Sequence, residues 1–204
     1  MQMKKQGNPR IRYLLLDVHG VLTKPGRTKR FLPYMEKRYG MDHDRHNALL
    51  YRYLDELESG AKKQSEYLRV INNAFGTSIS VGEYYRLFGL SVKLNEHFIR
   101  KLSRMSIRIC IVSDDAPPLS VSLGKALDRR FKSYRKFYSY QYGYCKTDGL
   151  LKDVLKELDA KPEECLFVDD RKKNIDVAKK MGMNVILFKT NKELFAEFRR
   201  YGIF

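Results

Sequence analysis

Eight polar residues close apolar runs in this chain or follow one closely, and their types suit phosphoryl chemistry. The run "YLLLDVHGVLT", from Tyr13 to Thr23, puts Asp17, His19 and Gly20 directly after a greasy stretch. "IRICIVSDD" ends in Ser113, Asp114 and Asp115, and "ECLFVDD" ends in Asp169 and Asp170. Lys146 stands between them in "GYCKTDG". One acid at the end of a strand is often only the cap of the next helix, and one lysine is usually a solvated surface group. Three acidic run ends with a lysine among them ask for more. Clustered carboxylates repel and raise one another's pKa unless a cation lies between them. Lys146 is one such cation, and a cluster of hard oxygen ligands suits magnesium as another.

Such residues act together only if the chain stacks their run ends side by side. "YLLLDV", "IRICIVSDD", "ECLFVDD" and "NVILFK" are too short for typical helices and rich in Val, Ile, Leu and Phe. They read as strands buried on both faces, as in a parallel sheet. Helical patterns separate the later ones. "GLLKDVLKELDA" carries an apolar stripe of Leu150, Leu151, Val154, Leu155 and Leu158, and "KNIDVAKKMG" repeats the pattern before Gly182 stops it. Alternation of strand and helix implies right-handed crossovers and an α/β doubly wound parallel sheet. In that architecture ligands bind beyond the carboxyl ends of the strands, where these polar residues fall.

The stretch from about Lys24 to Leu94 has no strand pattern and several amphipathic helical ones, among them "RHNALLYRYLDELESG" and "SEYLRVINNAFG". The expected organisation is a core of residues 1–23 and 95–204 with a small helical cap, 24–94, inserted after the first strand.

Composition narrows the classes. A chain of 204 residues with 43% hydrophobic content buries a core without staples. No run approaches the ~18 uninterrupted apolar residues of a membrane span, and the basic N-terminus is not followed by a signal-type segment. Three cysteines without paired spacing (Cys110, Cys145 and Cys165) argue against a disulfide framework or a zinc knuckle and for a reducing, cytoplasmic setting. The net charge of +16 favours anionic partners. The basic residues are scattered, so a small phosphorylated metabolite is favoured over nucleic acid, and a membrane partner is not expected.

The motifs resemble those of the haloacid dehalogenase superfamily, in its subgroup with a helical cap after the first strand. "LLLDVHGVLT" resembles the first motif, "ICIVSDD" the second, and "SYQYGYCKTDGLL" the third, with Lys146 as its lysine. "LFVDDRKKNIDVAKKMGMNVILF" resembles the fourth, down to Asn174, Ala178 and Gly182. The resemblance implies a Rossmann-like core and a phosphatase working through an aspartyl-phosphate on Asp17. It implies Mg2+ held by Asp17, Asp170 and the His19 carbonyl, with Asp169 beside them. Lys146 would pair with Asp17 and the phosphoryl group, and Ser113, Gly20 and Asp114 would hold its remaining oxygens.

His19 departs from the pattern, because family phosphatases usually carry a second aspartate there to move the proton. Three readings follow. The imidazole takes over as acid and base, for which its ordinary pKa near ~6.5 is suited. The relay is lost, and the chain is a slow hydrolase or a binder of phosphorylated ligands. Or the chain is a dehalogenase, which the missing tyrosine after Asp17, the missing asparagine-glycine pair after Ser113 and the intact second acid of "VDD" disfavour. If Asp17 and His19 lie on one extended strand, alternation turns both side chains the same way.

Two further stretches have plainer readings. "MDHDRH" could ligate a metal through His43, His46, Asp42 and Asp44, but capping of a helix is expected. "FKSYRKFYSYQYGYCK" interleaves aromatic and basic residues in the manner of single-strand binders. Here it is read as partly buried tyrosines on a face suited to a second copy of the chain.

Overall fold

A computed structural model describes residues 10–203. Five parallel strands form one sheet: β1 (Tyr13–Leu16), β2 (Arg108–Ser113), β3 (Arg135–Tyr138), β4 (Cys165–Asp169) and β5 (Asn184–Leu187), in the order β3-β2-β1-β4-β5. Alternate side chains of each strand enter two different cores. Leu14, Leu16, Ile109, Ile111, Leu166 and Val168 face α5 (Glu96–Leu102), α6 (Pro117–Asp128) and α9 (Asn191–Arg200). Tyr13, Leu15, Cys110, Val112, Cys165 and Phe167 face α7 (Leu151–Leu158) and α8 (Lys172–Lys180). Helices therefore cover both faces, as expected for a doubly wound sheet. The stripe read from Leu150 to Leu158 is buried throughout.

The sequence pointed to four strands, and the structure adds a fifth. β3 lies inside the aromatic and basic stretch read as partly buried tyrosines. Phe137 and Tyr138 are buried, whereas Arg135 and Lys136 are half-buried and pair with Glu157 and Asp128. β3 is an edge strand, where charged side chains are commonplace because they block pairing with other chains.

Between β1 and β2 the chain forms α1 (Arg27–Tyr39), α2 (His43–Glu58), α3 (Gln64–Phe75) and α4 (Val81–Ser91). These helices share a core of their own, built on Phe31, Leu32, Met35, Leu57, Tyr67, Leu68, Ile71, Tyr84 and Leu87. The chain leaves the sheet and returns to it along one track. The Lys24 amide donates to the Lys93 carbonyl at 2.7 Å and the Asn95 amide to the Leu22 carbonyl at 2.9 Å, flanking a bridge between Thr23 and Leu94.

Asp42 caps α2, its side chain accepting from the Arg45 amide at 2.7 Å. His46 is buried in the helical core, so "MDHDRH" is a helix start, as expected. Cys110, Cys145 and Cys165 are free and buried, and burial pushes the thiols of Cys110 and Cys165 up to about 11 and about 12. Among the described residues no helix is long and apolar enough to cross a membrane.

Candidate active site

The middle three strands deliver their tips to one place. Asp17 follows β1 and is 5% exposed, while Ser113 ends β2 and Asp169 ends β4, both fully buried. Lys146, 1% exposed, enters from the turn before α7. Its Nζ donates to Asp17 Oδ1 at 2.5 Å and to Asp169 Oδ2 at 2.7 Å, and its backbone amide donates to Asp114 Oδ1 at 2.9 Å. A buried ammonium between two carboxylates satisfies both signs of charge where either alone would be costly.

The electrostatics follow. Burial works to depress the Lys146 ammonium, but Asp17, Asp169 and Asp114 outweigh it and hold the group above the usual lysine range. Burial pushes the Asp17 carboxyl upward, Lys146 opposes that, and Asp169 and Asp170 reinforce it. Asp170 is the exposed member; partial desolvation and then Asp169 raise its carboxyl.

Asp169 is heavily engaged. Besides Lys146, its Oδ2 accepts from Asn174 Nδ2 at 2.9 Å and its Oδ1 from the Arg171 amide at 2.8 Å. Asp17 and Asp170 thus keep more lone pairs open. Asp17, Asp169 and Asp170 can each offer one carboxylate oxygen such that all lie within 4.8 Å of one another. This hard oxygen set fits a magnesium ion.

Gly20 shapes the same corner. Its φ is +90°, which glycine adopts at no steric cost. A Cβ built on it would stand 1.9 Å from Asp170 Oδ2, so no side chain fits while Asp170 keeps its place. Its amide donates to Thr23 Oγ1 at 3.2 Å. Ser113 Oγ is buried and has no hydrogen-bond partner among the described residues. An orphaned buried hydroxyl is uncommon and suits a site built for a further polar group.

His19 does not lie on an extended strand with Asp17. β1 ends at Leu16, and the chain coils through Val18–Leu22. Alternation along a strand therefore does not set the direction of the imidazole. Its Nε2 lies 3.2 Å from Asp115 Oδ2, at ion-pair distance. Asp115 is 4% exposed, and its Oδ1 accepts from the Ala116 amide at 2.9 Å. Its amide is held by Ser139 Oγ at 3.0 Å, and that hydroxyl in turn donates to the Glu58 carbonyl at the end of α2.

Sequence reasoning named Asp115 among the run ends without giving it a role, and it passed over Glu58 and Arg171. Glu58 Oε2 lies 3.6 Å from Arg171 Nη1, joining the helical layer to the loop after β4. Asp115 was visible as the second acid of "SDD". Nothing in the sequence marked Glu58, because its partner is far along the chain.

The model of haloacid dehalogenase-like hydrolases matches residues 11–182. The chain belongs to this family. Solved structures of haloacid dehalogenase-like proteins share its fold. A HAD family enzyme from Bacteroides thetaiotaomicron is 18% identical with a TM-score of 0.74, over 93% of this chain and 99% of that one. That enzyme has also been solved in complex with magnesium and inorganic phosphate (TM-score 0.66, 18% identity, 91% of this chain and 99% of that one). A predicted HAD-like hydrolase from Porphyromonas gingivalis is 22% identical with a TM-score of 0.68, covering 93% and 97% of the two chains. An L-2-haloacid dehalogenase shares the fold at 15% identity and a TM-score of 0.63, over 86% of this chain and 82% of its own. No curated protein matches the sequence.

Proposed function

We propose that this haloacid dehalogenase-like hydrolase is a magnesium-dependent phosphatase acting on a small phosphorylated metabolite. The observation that carries the reading is Lys146 held between Asp17 and Asp169 at the strand tips, with Asp170 beside them. A carboxylate attacking a phosphoryl group brings two anions together. Lys146 counters that repulsion from inside the protein, where a low dielectric strengthens its effect. Asp17, Asp170 and the carbonyl of His19, with Asp169 adjacent, would hold magnesium. Bound there, the ion would screen the phosphoryl oxygens and polarise phosphorus.

The chain's own residues divide the remaining work. Asp17 forms a bond to phosphorus as the ester P–O bond breaks, giving an aspartyl-phosphate. The imidazolium of His19 gives its proton to the departing oxygen. Neutral His19 then takes a proton from water as that water attacks phosphorus, and inorganic phosphate leaves with Asp17 restored. Asp115 positions His19. The unpartnered Ser113 hydroxyl and the amides near Gly20 and Asp114 serve the remaining phosphoryl oxygens.

The binding of magnesium and inorganic phosphate by the Bacteroides thetaiotaomicron enzyme supports this assignment. Asp170 supports it against the dehalogenase alternative, since carbon–halogen cleavage needs no cation site. The test is hydrolysis of an aryl phosphate with magnesium and with a chelator, beside Asp17→Asn. Turnover is expected only with magnesium and only with Asp17, and the thermal midpoint of the variant should stay within a few degrees. Equal rates with and without chelator, or no turnover at any pH, would leave a binder of phosphorylated ligands.

A further inference from the structure

The opposite end of the sheet carries a second concave site, lined by basic residues. A cavity of about 580 Å³ opens where the strands begin, lined by Arg10, Arg12, Arg108, Arg200, Asn184 and Ser106, with Ile11, Ile107, Tyr201 and Ile203 among its apolar walls. Arg12 directly precedes β1, Arg108 opens β2 and Asn184 opens β5. In a parallel sheet these positions lie at the far end from Asp17. Strands of four to six residues at about 3.3 Å each put roughly 15 Å between the two ends.

We infer that this cavity binds a small polyphosphate anion at a site separate from the candidate active site. Four arginines are among its lining residues, and among the described residues no acidic one is. Arginine presents planar donors that match phosphate oxygens in pairs. Two of the four are partly neutralised from outside: Arg12 by Glu164 at 2.9 Å and Arg200 by Glu197 at 2.8 Å. Both contacts run through Nη1. Arg108 donates to the Tyr13 hydroxyl at 3.0 Å and lies over the Tyr13 and Tyr134 rings, which fixes it without cancelling its charge.

The walls distinguish this site from a merely basic surface. Ile11, Ile107, Tyr201 and Ile203 pack against the core face shared by Leu14, Ile109 and Phe198, so they give the cavity a firm apolar floor. The volume lies within the usual range of small-ligand sites, about 300–1,000 Å³. A long nucleic acid would instead track an extended stripe of charge. The net charge of +16 draws anions to the whole molecule, and four of its arginines line this one concave place.

The test is calorimetric titration of the full chain with tripolyphosphate and, separately, ATP, in chelator. Without a cation the carboxylates around Asp17 repel anions, so binding there does not contribute. Both probes should bind with one site per chain. ATP should bind the tighter if its ring uses the apolar floor, and equal affinities would assign the site to the phosphates alone. Arg10→Glu with Arg200→Glu, both exposed positions, should weaken binding at least tenfold, and Arg108→Gln should weaken it independently. A control pair of equal charge change on the helical layer, Arg52→Glu with Arg69→Glu, should leave the dissociation constant within twofold. Absence of saturable binding, or equal weakening by the two double variants, would overturn the proposal. Thermal melts of each variant separate lost binding from lost fold.

Discussion

At the tips of β1, β2 and β4, buried ionisable groups are held by opposite charge. Inside the helical layer a buried histidine is held by aromatic rings. His46 is fully buried, edge-on to Phe31 and Phe75 at 5.7 and 5.9 Å between centroids. Its Nε2 lies 3.3 Å from the Tyr84 hydroxyl, itself 3.3 Å from that of Tyr67. Among the described residues no charged partner offsets its burial, which, aided by the positive field of His43, lowers its pKa to about 4. His19 sits against Asp115 instead. The same residue type is neutral filling in one region and, in the function proposed above, the proton carrier in the other. Full burial among rings goes with the first role, and a carboxylate at ion-pair distance goes with the second.

Removing the cation from the strand tips breaks that contrast most severely. Lys146→Met leaves Asp17 and Asp169 buried face to face and should cost about 3–5 kcal/mol of stability, the usual toll of an uncompensated buried charge. Urea unfolding measures it, with turnover expected to vanish. A loss below about 1 kcal/mol, typical of surface pairs, would mean the pairing is weak.

Next in size is the proton carrier. His19→Ala should lower turnover by ~10²–10⁴, the usual worth of general acid–base catalysis, while His19→Asp should retain or raise it. If His19→Ala matches the wild type, the imidazole is a bystander and the two histidines are alike after all.

A third experiment reads the neutral partner of the comparison. Unfolded histidine takes a proton near pH ~6.5, whereas folded His46 stays neutral until about 4. Between those values the unfolded state binds the proton and the folded state does not, so stability falls as pH falls. Above pH ~6.5 the contribution is fully present. Between pH 7 and 5 wild type should lose roughly 2 kcal/mol more than His46→Phe. Equal losses, read by urea unfolding at both pH values, would show that His46 is not excluded from its proton. The smallest effect belongs to the start of the same helix: Asp42→Ala should cost about 1 kcal/mol, the value of a lost cap, by the same measurement.

Much of this was legible in the residues. Apolar runs with polar ends gave away β1, β2, β4 and β5, because strands buried on both faces have few polar side chains to blur them. β3 stayed hidden, since an edge strand tolerates Arg135 and Lys136 and its four residues show no run. The meeting of Asp17, Lys146 and Asp169 could be read from strand ends and motif spacing. The pairing of His19 with Asp115 could not, because it depends on how the chain coils through Val18–Leu22 after leaving β1. Glu58 and Arg171 meet across 113 positions of sequence, and neither carries a local signal.

Gly20 has a consequence for how variation in this chain would be interpreted. It has no side chain to contribute, yet any side chain placed there would displace the Asp170 carboxylate. In a survey of substitutions, position 20 would bear the signature of its neighbour across the gap, and a change there would behave as a lesion in Asp170. The requirement it expresses is for an unfilled volume, and that volume belongs to the chemistry as much as any of the groups surrounding it.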